Sequence, residues 1–131
     1  SAVPFLPQDR FIWGLLGLVA VGYLVAAIFP CDLGSPLVGT TSNKLHNIAG
    51  GLEYIGAGLG LVLMGLSTAT STEWPHISLY LILSGSVILL SLILLVIPSF
   101  QAIKGAVQRL AEASFFIWML VISLLLLFSH H

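Results

Sequence analysis

Glu53 is a carboxylate in the middle of an apolar stretch, and His46 and Gly50 stand seven and three residues before it. Spacings of i, i+4 and i+7 put the three on one face of a helix. About eight residues into such a helix, at 1.5 Å per residue, Glu53 lies roughly 12 Å down and close to the bilayer midplane. A carboxyl there costs several kcal/mol unless it is protonated or partnered, so an intramembrane acid points first to function. Two uses fit it: the floor of a binding pocket or, with His46, a proton relay. The bland use is a protonated Glu53 clamping a neighbouring helix through a hydrogen bond.

A second group follows at Lys104, Gln108, Arg109 and Glu112. Arg109 and Glu112 are i, i+3 and can pair, either as an interfacial salt bridge or with the guanidinium holding an anionic head. Asp32, His46 and Cys31 offer carboxylate, imidazole and thiolate, the usual ligands of Zn²⁺, but no two of them have tight metal spacing. Cys31 is the only cysteine, which excludes an intrachain disulfide and a multi-thiolate zinc site. Ser42 and His46 stand at i, i+4 as a nucleophile and base would, although Ser42 also suits a helix cap. His76 belongs to the opposite side of the membrane from His46, so the two cannot share a haem or a metal. No G-x-S-x-G, H-E-x-x-H or phosphate-cradling glycine loop occurs, and no cofactor is implied.

These residues need elements to position them, and composition decides which. Charged residues make up 7% of the 131 residues, against 58% hydrophobic ones, with a mean hydropathy of +1.10. Soluble domains carry about 25% charged residues, so the chain belongs in a bilayer. With only four Lys plus Arg there is no basic stripe, which removes nucleic acid as a partner. Four stretches reach the roughly 20 apolar residues a spanning helix needs, at about 11–29, 45–66, 75–97 and 103–128. Lipid offers no backbone partners, so these are helices, and the fold class is all-α: an integral membrane bundle of four transmembrane helices forming one domain. Pro30 and Pro98 stop the first and third helices, and any of Thr40-Thr41-Ser42-Asn43 can cap the second. Trp74, at the end of the Ser67–Trp74 loop, suits the headgroup level. The second helix is rich in glycine; Gly56 and Gly60 form a G-x-x-x-G pair that suits helix packing or a dimer face, while glycine near Glu53 also leaves room for a ligand.

Four helices place both termini and the Ser67–Trp74 loop on one side, and the Pro30–Lys44 and Pro98–Gly105 connections on the other. Arg10 on the first side against Lys44, Lys104 and Arg109 on the second makes the second side cytoplasmic. A polar funnel narrowing onto Glu53 opens there. Ala2 to Pro7 has neither the basic start nor the apolar centre of a signal peptide, and His130-His131 reads as the remnant of a purification tag.

Phe29-Pro30-Cys31-Asp32, with Gly34 and Pro36 after it, His46 at the head of a glycine-rich helix, and Gly105 with Gln108-Arg109 opening the last helix, together resemble a bacterial family of polytopic membrane proteins. That family is a domain of unknown function with a Phe-Pro-x-Asp-Pro segment, a His and a Gly-x-x-x-Arg pattern. Leu33 stands where the family often has proline. The resemblance implies the bacterial inner membrane, about six helices, and a site at Asp32, His46 and Arg109. Two further upstream helices would put that site outside the cell, against the charge count. The reading that joins these residues is a small or lipidic anionic ligand bound by Arg109, positioned by Asp32 and His46, with Glu112 beside it and Glu53 below. Membrane lipids are then partners. The alternatives are a proton-coupled transporter using Glu53 and His46, a metal-dependent hydrolase on Asp32 and His46, and a structural subunit in a homo-oligomer or membrane complex, packing through Gly56 and Gly60.

Overall fold

A computed structural model describes residues 10–69 and 75–128. It contains four long helices, α1 (Arg10–Ile28), α2 (Thr41–Thr68), α3 (Pro75–Val96) and α4 (Lys104–Phe128), with a 3₁₀ turn (Pro98–Ile103) between the last two. All four are long and apolar enough to cross a membrane, so the chain is a transmembrane helical bundle. The expectations for Trp74, for Ala2 to Pro7 and for His130-His131 fall outside the described residues.

Two boundaries move. The second helix starts at Thr41, not Leu45, because Thr40 caps it: the Thr40 side chain accepts from the Asn43 N–H at 3.2 Å. The four polar residues before Leu45 thus form its first turn and not the end of a loop. It also runs on to Thr68, where the Ser67 and Thr68 hydroxyls donate back to the Met64 carbonyl, so the expected Ser67–Trp74 loop loses its first two residues to the helix. Pro98 begins the 3₁₀ turn, and the third connection is a tight corner.

The backbones pack in chain order, α1 on α2, α2 on α3, and α3 on α4. The glycine-rich α2 is the central helix, packed on both α1 and α3. Over its most apolar 18 residues α2 has a mean hydropathy of 1.5 against 2.3 for α1 and 2.7 for α3, yet 56% of those residues are buried against 22% and 28%. A glycine-rich, partly polar helix is tolerable there because protein surrounds it instead of lipid. Its glycines permit the approach. A Cβ at Gly56 would collide with the Leu15 carbonyl oxygen of α1, one at Gly60 would stand 2.9 Å from Leu16, and one at Gly85 of α3 would stand 2.5 Å from the Gly58 carbonyl oxygen. Gly56 and Gly60 therefore face α1 of the same chain. Beyond Glu53 the core closes on Leu61, Met64 and Leu81, all fully buried.

Candidate functional site

The connection between α1 and α2 is tied down at nearly every polar group. Asp32 accepts twice from Thr40, from its backbone N–H at 2.8 Å and its hydroxyl at 2.7 Å, and the Asp32 N–H donates to Asn43 Oδ1 at 3.0 Å. The two Thr40 hydrogen bonds favour the charged carboxylate and hold Asp32 below the usual carboxylate range. Asn43 and Asn47, one turn apart, both donate to the Pro36 carbonyl, at 2.8 and 3.0 Å. Ser42 donates to the Pro30 carbonyl at 2.9 Å, and the cap of α2 is Thr40 instead. The connection turns at Gly34, whose φ of 79° is one that glycine adopts without strain.

His46 joins the same network, with Nδ1 at 2.9 Å from the Phe29 carbonyl. A carbonyl only accepts, so Nδ1 carries the proton, and in the neutral ring Nε2 holds the lone pair. From α4, Lys104 reaches over to donate to the Ser35 carbonyl. The connection is thereby pinned to α2 on one side and to α4 on the other, and it forms a roof.

Under that roof lies a cavity of about 470 Å³ with contributions from all four helices, within the size range of small-molecule sites. Cys31, Ser35 and Leu37 line it from the roof, and Tyr23, Ala26 and Ala27 from α1. α2 supplies His46, Asn47, Gly50, Gly51, Glu53 and Tyr54; α3 supplies Leu92, Leu95 and Val96; α4 supplies Lys104, Gln108 and Glu112. The three α4 residues recur every four positions and so share a stripe. Glu53 is 7% exposed, and Tyr23 and Glu112 line the cavity with it. Glu112 accepts from Gln108 Nε2 at 3.1 Å.

Glu53, His46, Glu112 and Cys31 meet at this cavity. Asp32 and Arg109 do not line it. Asp32 is turned onto Thr40, and Arg109 is exposed, one position off the cavity-facing stripe of α4. The expected Arg109–Glu112 pair is absent; Glu112 is taken by Gln108. Among the described residues no three His, Cys, Asp or Glu side chains gather as metal ligands would. His76, at the start of α3, is exposed at the far end.

Sequence reasoning passed over Tyr23, Tyr54 and Asn47. A signal existed for two of them: Tyr54 is adjacent to Glu53, and Asn47 is i+4 from Asn43. Gly50 and Gly51 differ from the packing glycines in one respect. Each lines the cavity, and no atom lies within 4 Å of where its Cβ would stand.

A family model described as "Protein of unknown function (DUF998)" matches residues 4–125. No curated protein and no solved structure matches the chain.

Proposed function

The chain belongs to the DUF998 family of proteins of unknown function, and from that premise we propose that it binds an amphiphilic small molecule or lipid in the cavity under the α1–α2 roof. The observation that carries this is the pair of open glycines. Glycine inside a helix costs about 1 kcal/mol relative to alanine, and at Gly50 and Gly51 no neighbour requires the missing Cβ. Gly14, Gly17 and Gly105 are open too but do not line the cavity, so it is the place of Gly50 and Gly51 on its wall that points to room for an occupant. The lining suits an amphiphile: Leu92, Leu95 and Val96 offer an apolar wall, while Glu53, Glu112, Asn47 and Gln108 offer convergent polar groups.

The wall also bears on the other readings. An anionic head would depend on Arg109, which lies outside the cavity, or on Lys104, whose ammonium is engaged at Ser35. A proton relay across the bilayer would need titratable groups beyond Glu53, where Leu61 and Met64 fill the core and the buried polar side chains among the described residues are the hydroxyls of Thr68, Ser78 and Ser84. A hydrolase on Asp32 would need a carboxylate that is not already committed to Thr40.

Gly50→Leu tests the proposal, because Gly50 lines the cavity and a Cβ there has open space around it, so the new side chain takes up room in the cavity. Native mass spectrometry of the protein released from maltoside micelles should show one amphiphile-sized adduct, reduced at least tenfold in Gly50→Leu at an unchanged melting temperature. An equal adduct in the two proteins, or none in either, would contradict the proposal.

A further inference from the structure

We infer that the head of the bound amphiphile is a cation, an ammonium group seated between Glu53 and Glu112; this rests on the cavity-binding reading above. Glu53 comes from α2 and Glu112 from α4, and both line one cavity. Among the described residues neither has a lysine, arginine or histidine nitrogen at ion-pair distance. The cations that could have served are placed elsewhere. Lys104 is eight residues before Glu112 on the same stripe, about 12 Å nearer the roof at 1.5 Å per residue, and its ammonium donates to the Ser35 carbonyl. Arg109 is exposed and does not line the cavity.

Two carboxyls that line one cavity cannot both be charged at low cost, because each raises the cost of ionising the other. An ammonium between them removes that repulsion and gives each a charge-assisted hydrogen bond. The neighbours favour the same sign. Tyr23 and Tyr54 line the same cavity, and aromatic rings attract a cation, while the Gln108 side-chain amide already donates to Glu112, which keeps that carboxyl an acceptor. Leu92, Leu95 and Val96 then take the apolar chain.

Cys31 is a natural reporter, since it is the only cysteine, it is exposed, and it lines the same cavity. The rate at which a neutral methanethiosulfonate modifies it, followed by intact mass in maltoside micelles, is to be compared with decylamine, decanol, decanoate and ethylamine added in turn. Decylamine should slow modification at a concentration at least tenfold lower than the other three. Glu53→Gln and Glu112→Gln should each remove that tenfold advantage; Glu112 is only half-buried, so its variant serves even where Glu53→Gln fails to fold. Decanol or decanoate protecting as well as decylamine would overturn the cationic head and leave the cavity reading standing. Ethylamine protecting equally would replace the amphiphile with a soluble amine. Protection by none of the four would overturn the cavity reading itself.

Discussion

Asp32 and His46 are both tied into the connection between α1 and α2. The Phe29-Pro30-Cys31-Asp32 segment that carries the family resemblance is the roof: Phe29 accepts from His46, Pro30 from Ser42, and Asp32 from Thr40. The sequence shows these residues to be unusual but hides their partners, because a backbone carbonyl such as that of Phe29 or Pro36 leaves no mark in residue type. Glu53 was legible as an intramembrane acid for the opposite reason, since its side chain alone contradicts its surroundings. Thr40 is the residue on which the roof is tested. Its hydroxyl both donates to Asp32 and caps α2, so Thr40→Val should cost about 1 kcal/mol of stability in thermal melts. It should also raise the titration midpoint of Asp32, read by carboxyl NMR, towards the ordinary value of about 3.9. The sign follows from the lowered folded value: the contribution of Asp32 is complete above the ordinary carboxylate value and is lost only as pH falls through the lower folded one. An unmoved midpoint would show that Thr40 does not hold the carboxylate.

The helices themselves were legible to within a residue or two, apart from the first turn of α2, where Thr41-Ser42-Asn43 read as polar loop until the cap at Thr40 placed them in the helix. What apolar length cannot tell is which glycines of α2 meet a neighbour, since they occur on several faces of one helix and the neighbours come from distant positions. The structure sorts them into two kinds. Gly56 is pressed against Leu15 and Leu18 of α1, whereas Gly50 and Gly51 face space. Substitutions should separate accordingly. Gly56→Leu must push α1 away from α2 and should cost at least 1–3 kcal/mol as overpacking, seen as a lowered melting temperature in detergent. Gly50→Ala should leave that temperature unchanged or raise it, because it adds helix propensity of about 1 kcal/mol without a clash. Equal losses at both positions would mean that the cavity wall is packed like the rest of α2.

For the molecule as a whole, Lys44, Lys104 and Arg109 gather at the roofed end while Arg10 is at the other, and Arg109 is exposed and does not line the cavity. We propose from the positive-inside rule that the roof faces the cytoplasm. A membrane-impermeant maleimide should leave Cys31 unmodified in intact cells and modify it after permeabilisation; modification in intact cells would reverse the orientation. Sidedness of this kind is readable from a charge count, but a cavity is not, because it depends on how four helices and one connection close around space. The Lys104–Ser35 link, which joins residues 69 positions apart, is part of that closure. An experimental density map of the protein in a lipid nanodisc tests the central claim most directly. The account predicts elongated non-protein density that runs along Leu92 and Leu95 and ends between Glu53 and Glu112. A cavity filled by repacked side chains, or holding only isolated waters, would contradict it.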